Sequence, residues 1–500
     1  MRTLFIPLDE RPCNRVFPSM VASTADDVDL VEPDLDILGD KKRPANLGVL
    51  EDFMLRAATG CDAAIVSLDM LLYGGLIPSR IHHLDRETVL ARFEVLRRMK
   101  RENPRLKVYA FQCIMRTPRY DSGEEEPDYY ETYGYRLFRR KYLLDYQERH
   151  GELSAEDAAE LAGIDIPSDI LVDYEARRDF NLDMNLEALA YLKEGTIDFL
   201  VIPQDDAAPY GYTAIAQKRV IRELKAEGLG GQVMIYPGAD EVGMSLMARA
   251  YVEQTGKSPA IYPFYASVLG PTIVPNYEDR PMFESLKSHV RVCGAHLVQS
   301  AEAADIVLAI NCPGSFMQEA VIQRAEPDVT YTSYRQLLDF ELVIKEHVDA
   351  GRRVALCDSA FSNGGDVELV RALDELGVLD KLVSYAGWNT NCNTLGTTLA
   401  QVIMGTSDLV RNVCYRVIED TFYQPLVRDE VVREELPSRG LSYYDFKDRQ
   451  ADVEDVIRGK LQALYDGLKI AREHPVDIKR IYMPWRRMFE IGMEMEMISR

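Results

Sequence analysis

Along most of the chain, short runs of aliphatic and β-branched residues alternate with amphipathic helical stretches, the pattern of a parallel sheet with crossover helices. The pattern predicts strands in "TLFIPL", "VDLVEP", "AAIVSL", "KVYAFQ", "DFLVIP" and "QVMIYP", then in "AIYPFY", "AHLV", "DIVLAI", "RVALC" and "LVSYAG". None of these runs alternates with polar residues, so both faces of each strand are expected to be covered. Helix ends are also readable. In "GGDVELVRALDELGV", Asp366 caps the start, Leu369, Val370, Leu373 and Leu376 form one stripe, and Gly377 ends it.

One interval breaks this rhythm. About 80 residues separate "KVYAFQ" from "DFLVIP", too many for a loop, and their composition is helical. Their place after a strand predicts an inserted helical cap, at about 119–182, over the carboxyl edge of the sheet. Its tyrosines either line a pocket or pack the insert down. Residues 259–410 predict a Rossmann-like α/β unit and 411–500 a mainly helical region, where "MPWRRMFEIGMEMEM" suits a docking or dimer helix, or plain core. Periodicity does not separate a barrel from an open doubly wound sheet in residues 1–258. The expectation adopted there is α/β of the TIM-barrel-like (β/α) kind, carrying the catalytic part.

The 500 residues have a net charge of -23. Such a surface repels phosphate backbones and anionic lipid heads, so neither a nucleic-acid nor a membrane partner is expected. No apolar run approaches the roughly 18 residues that span a bilayer, and the start is too short for a signal peptide, so a cytoplasmic protein is expected. The eight cysteines form no C-x-x-C pair and the seven histidines no H-E-x-x-H pair, which favours buried thiols over a zinc site. "TGKS" at 255–258 lacks the first glycine of a phosphate loop, with Tyr251 in its place, and neither a dinucleotide fingerprint nor a nucleophile elbow occurs. No cofactor is expected. An all-oxygen magnesium or calcium site drawn from Asp69, Asp205 and Asp240 stays open.

In parallel α/β folds the loops after the carboxyl ends of the strands form the site. Those loops hold Asp9, Glu10 and Arg11; Asp69 and Tyr73; Arg116; Gln204, Asp205, Asp206 and Tyr210; Asp240 and Glu241. The later ones hold Asp358, Asn363 and Asp366, then Trp388, Asn389, Asn391 and Asn393. Turn formation accounts for part of this set. The remainder predicts a pocket rich in carboxylates and amides, suited to a polyhydroxylated ligand, with Tyr73, Tyr210 or Trp388 against apolar sugar faces.

The adjacent aspartates in "FLVIPQDDAAPYG" are the sharpest feature. Neighbouring side chains on a strand point to opposite faces, so Asp205 and Asp206 converge only where the strand has ended. Ala-Ala-Pro-Tyr-Gly supplies the bend before Thr213 caps the next helix. Two carboxyls in one pocket drive their proton affinities apart, giving an acid and an ionised partner, which is the division a glycosidase needs. In the plainer alternative Asp205 closes the turn and Asp206 alone faces the pocket.

Together, "IPLDERP", "SLDMLLYGGLIPSR", "IPQDDAAPYG", "YPGADE" and "GWNTNCNTLGTTLA" resemble the bacterial domain-of-unknown-function family 4127 over nearly the whole chain. That resemblance implies no established activity; its members look associated with sugar uptake and amino-sugar use. The Asp-Asp pair is also similar to that of the TIM-barrel β-N-acetylglucosaminidases of glycoside hydrolase family 84. That similarity implies that Asp205 orients the substrate's acetamido group, whose own oxygen attacks, while Asp206 is the general acid. It stops at the pair, because Gln204 stands where that family usually has Trp. The leading expectation is a carbohydrate-active enzyme, a glycoside hydrolase acting on small N-acetyl amino-sugar glycosides. A metal-dependent sugar or sugar-acid isomerase or lyase and a non-catalytic two-domain sugar sensor are the alternatives, and homo-oligomerisation is left open.

Overall fold

In the computed structural model, which describes residues 1–498, each of the eleven runs predicted as strands contains one. The chain divides into two compact units. The first comprises Met1–Glu10, Val28–Leu246 and Tyr277–Asp279; the second comprises Arg11–Asp27, Met247–Asn276 and the chain from Arg280 onward. The boundaries drawn from sequence, at 258/259 and 410/411, differ from this division. In particular Arg11–Asp27, next to the first strand in sequence, belongs to the second unit.

The first unit is built on β1 (Arg2–Ile6), β2 (Asp29–Val31), β3 (Ala63–Ser67), β4 (Lys107–Phe111), β5 (Phe199–Val201) and β6 (Val233–Met234). All neighbours pair in parallel, in the order β2-β1-β3-β4-β5-β6. The expected TIM-like barrel is not formed: β2 lies outside β1, so the winding reverses between β1 and β3, and β2 and β6 are outer strands. A barrel and a doubly wound sheet use the same buried strands and helices. They differ in where the chain crosses after the second strand, which leaves no mark on hydrophobic periodicity. The core is continuous over the central strands, with Leu4, Ile6, Ala64, Val66, Val108, Ala110 and Leu200 at 0% exposure.

Between β4 and β5 lie the helices Tyr130–His150, Ala155–Gly163 and Ser168–Lys193, in the interval predicted as a helical insert. Ser154 caps the middle one by accepting the Asp157 N–H. Tyr130 and Tyr174 join Met115, Leu137 and Tyr212 in a small core of their own, so these tyrosines pack the insert.

The second unit contains β7 (Ala260–Tyr265), β8 (His296–Leu297), β9 (Ile306–Asn311), β10 (Gln318–Glu319), β11 (Val354–Asp358), β12 (Phe361–Ser362) and β13 (Ser384–Ala386). Five of them form a parallel sheet ordered β13-β11-β9-β7-β8, in which the second strand again lies outside the first; β10 pairs with β12. The region read as mainly helical, 411–500, is so only in part, and its last two residues lie outside the described chain. A buried π-helix, Val417–Val427, contains Pro425, and the helix Gln450–Asp466 follows later. β14 (Val476–Tyr482) then pairs antiparallel with β15 (Gly492–Met497). The docking or dimer helix expected in "MPWRRMFEIGMEMEM" is thus corrected to a strand. Its Met-Glu-Met-Glu-Met has a period of two, which puts Met493 and Met495 on the buried side and Glu494 and Glu496 outside.

If the β4-β5-β6 side of the first sheet is as tightly filled as this, Leu200→Ala lowers stability by about 2–5 kcal/mol. Urea denaturation read on that unit's transition checks this, and a loss below about 1 kcal/mol contradicts it.

Candidate functional site

Sheet pairing continues past β5 as far as Gln204, which bridges Ile114 on one side and Pro237 on the other. The chain then turns, and Asp206 adopts a left-handed conformation with φ 45°. Aspartate tolerates that region better than most residues, and the turn removes the alternation that would separate the two side chains. Both enter one charge network. The Asp205 carboxylate accepts from Arg80 Nη2 at 2.7 Å, and Asp206 from Arg116 Nη1 at 3.2 Å. Arg80 comes from the helix Leu76–Ile81 and Arg116 from the loop after β4.

Two glutamates from the start of the insert complete the network. Glu126 Oε1 accepts from Arg116 Nε at 2.8 Å and from Arg80 Nη1 at 3.2 Å. Glu125 Oε2 accepts from Arg116 Nη2 at 2.9 Å, and the Tyr120 hydroxyl lies 3.3 Å from the same nitrogen. Four carboxyl groups, those of Asp205, Asp206, Glu125 and Glu126, thus bond to two guanidiniums. Burial pushes the Asp206 carboxyl from 3.8 up to about 6, with Arg116 opposing and the charge of Asp205 adding to the rise.

Asp69 lies at the carboxyl end of β3, in a turn that Ser67 caps by accepting the Met70 N–H. Its carboxylate accepts the Cys113 N–H at 2.8 Å, and burial raises it to about 7. The Cys113 thiol is pushed up by burial and then by Asp69, Asp205 and Asp240, which places these acids around one strand end. Asp9, after β1, is buried as well.

Other predicted residues in this unit have structural duties. Gln204 is 1% exposed and accepts from Gln217 Nε2 at 2.7 Å. Tyr73 is buried and stacks on His82 at 4.6 Å between ring centroids, so it offers no face to a sugar. Glu241 accepts the Ala239 N–H at 3.0 Å and thereby closes its own loop. Tyr210 packs among Tyr142, Tyr146 and His150 on the insert. Thr213 is not the cap expected of it: the next helix starts at Tyr212, with Gly211 at its N-cap. Gly211 has φ 95° and donates its N–H to the buried Asp145, which Arg149 also grips. That bond fastens the far end of the Asp205–Asp206 loop to the insert.

The predicted residues of the second unit form a separate set. Asp366 caps the helix Val367–Glu375 as expected, and its other oxygen accepts from Arg335 Nη1 at 2.5 Å. Asp358, at the end of β11, accepts from Asn311 Nδ2, the Asp366 N–H and the Tyr385 hydroxyl, and burial with the Asp366 charge raises it to about 7. Asn363 and Asn389 both have positive φ; Asn363 donates to Glu319 and, through its N–H, to the Asn389 carbonyl. Trp388 is buried edge-on to Phe17 and donates to Thr397, and Asn393 is buried in the first turn of the helix Asn391–Met404. Arg11 faces the Trp485 ring at 4.5 Å and the Glu490 carboxylate at 3.5 Å. Missed by sequence here is the pair Glu419 and Asp420 on the π-helix. Both are pushed up by burial, and Asp420 is bonded to Arg416 and the Gly387 N–H.

All eight cysteines are buried and unpaired with one another. Among the described residues no helix is long and apolar enough to cross a membrane. Among the described residues, the trio whose ligand atoms lie close enough to share a metal ion is Asp380, Glu473 and His474 in the second unit, and Asp69, Asp205 and Asp240 form no such group.

Fold and network together define a doubly wound α/β protein with a buried arginine–carboxylate cluster on consecutive strand ends of its first unit. The model of the family described as "Protein of unknown function (DUF4127)" matches residues 3–494, and the chain belongs to that family. A search of the curated proteins finds no match.

Because folding raises the affinity of Asp206 for its proton, its ionised form destabilises the native state, and this cost appears as pH rises from about 4 through about 6. Asp206→Asn removes it. The variant therefore gains stability relative to the unmodified protein between pH 4 and pH 7, as measured by thermal melts. A relative loss over that range contradicts the assignment.

Proposed function

We propose that the first unit carries the site of a carbohydrate-active enzyme, a glycoside hydrolase acting on small amino-sugar glycosides. The observation that carries this proposal is the convergence of the Asp pair at one strand end. Asp205 is ion-paired with Arg80 and Asp206 with Arg116, burial raises Asp206 to about 6, and both side chains keep about one-fifth of their surface exposed. A carboxyl with that proton affinity is a serviceable general acid near neutrality. Asp206 would donate its proton to the glycosidic oxygen as the bond to the anomeric carbon breaks, and water would then bond to that carbon and return a proton to Asp206. Asp205 would face the positive charge that develops on the sugar ring, or accept an N–H from the substituent at C2. The N-acetyl substrate expected from sequence is the neutral member of this class. No such step is assigned to the second unit, where Asp358 is enclosed by its own hydrogen-bond donors.

The two-domain sugar sensor is supported by a different observation, the recurrence of one strand order in both units. Stabilisation by a sugar that is never turned over would favour it.

Asp206→Asn is expected to lower kcat on alkyl glycosides by ~10²–10⁴ and to matter far less for dinitrophenyl glycosides, whose leaving group needs no proton. In the unmodified enzyme kcat falls as pH rises past about 6, where Asp206 loses its proton. Steady-state assays over both substrate series check this; equal turnover by variant and parent on alkyl glycosides removes Asp206 from the acid role.

A further inference from the structure

On the helix Ser168–Lys193, residues Glu175, Arg178, Leu182 and Asn185 recur every three or four positions and so share one face. That face does not close fully on its neighbours. Between it, the helix Tyr212–Glu227, Lys141 and the loop after β4 lies a cavity of about 140 Å³, all of whose lining residues belong to the first unit. Ile114, Met115, Leu182, Ile215 and Ala216 make most of it apolar.

The polar part of the wall is largely engaged with itself. Glu175 accepts from the Tyr212 hydroxyl at 2.8 Å and from Lys141 Nζ at 3.3 Å. Arg178 donates to the carbonyls of Met115 and Arg116 at 2.7 and 2.8 Å, and its guanidinium lies 4.8 Å from the centre of the Tyr212 ring. Asn185 differs. It is 1% exposed, its Nδ2 reaches the carbonyls of Gln112 and Cys113 only at 3.4 and 3.5 Å, and its Oδ1 accepts no hydrogen bond among the described residues. A buried amide oxygen left without a donor is costly, and the cavity that Asn185 lines is the space from which a donor can come.

Size narrows the occupant. An apolar cavity of about 150 Å³ takes up a six-carbon ring. Loosely held water against such a wall is displaced with a gain in affinity by an apolar group, provided that the polar atoms keep a partner.

We infer that this cavity is a second small-molecule site, sharing no lining residue with the charge network, for a neutral molecule of about six or seven heavy atoms with an apolar body and one hydroxyl or N–H donor. The body would lie against Ile114, Leu182 and Ala216, and the donor would reach Asn185 Oδ1. Arg178 is both a wall of the cavity and the group that holds the Arg116 carbonyl, so an occupant bears on the loop that supplies Arg116 to Asp206. The inference does not depend on the hydrolase proposal.

The test is carbon-13 NMR of the full chain labelled at the methionine methyls, with the Met115 signal assigned by its loss in Met115→Leu. The probes are cyclohexanol and cyclohexanone, which has the same ring but an oxygen that only accepts. Cyclohexanol is expected to move the Met115 signal saturably, and cyclohexanone to bind roughly tenfold more weakly. Asn185→Leu is expected to remove the difference between the two, and Ala216→Leu, which fills the cavity, to abolish the shift. No saturable shift in the unmodified protein, equal affinity for alcohol and ketone, or undiminished binding in Ala216→Leu overturns the inference.

Discussion

A carboxylate set out of reach of water, between two guanidiniums, organises the first unit. Glu126, at 0% exposure, is held by Arg80 and Arg116, which both bond to its Oε1. An ionised carboxylate buried without such partners would be untenable. The same two arginines then reach Asp205 and Asp206, so the position of Glu126 fixes both members of the pair. The participants come from the helix that follows β3, the loop after β4, the start of the insert and the loop after β5. One network therefore ties three consecutive strand ends together, and the insert is part of it rather than an ornament.

The two units put similar chemistry to opposite uses. Both gather acids at the carboxyl edge of a parallel sheet with the same winding. In the second, the space is taken up by the protein itself: a Cβ at Gly365 would lie 2.2 Å from the Tyr385 hydroxyl and 3.0 Å from Asp358. Asp358 is saturated with donors there, which marks a buried polar network that holds the fold. In the first, three carboxylates stay partly open to solvent. That difference, rather than the number of acids, separates a candidate site from a structural cluster.

The strands were legible because buried parallel strands leave uninterrupted apolar runs, and the Asp366 cap because capping is local chemistry. The Asp pair and Arg116 were legible as polar residues just after strands. Arg80, Glu125 and Glu126 were not. Arg80 closes the motif "SLDMLLYGGLIPSR" from inside a helix, and "GEEEPD" has the composition of a solvated acidic run. Glu124 of that run does pair at the surface with Lys41, yet two residues later Glu126 is fully buried. No local pattern distinguishes them, since burial is decided by where the insert docks. For the same reason Tyr73 and Trp388, aromatic and next to strand ends, have the sequence pattern of sugar platforms although tertiary packing encloses both. The expected barrel differs from the observed sheet for another reason, because strand order is set by crossovers that hydrophobic pattern does not record.

The central claim is that one member of the Asp pair holds its proton up to about pH 6, well above the ordinary carboxylate range, because of burial and its neighbour's charge. The most direct test is a carbon-13 NMR titration of the protein labelled at the aspartate carboxyl carbon, with the Asp206 signal assigned by its loss in Asp206→Asn. A midpoint at about 6, falling when Asp205 is replaced by asparagine, is the predicted result. A midpoint at the ordinary 3.8, or one indifferent to Asp205, contradicts the account.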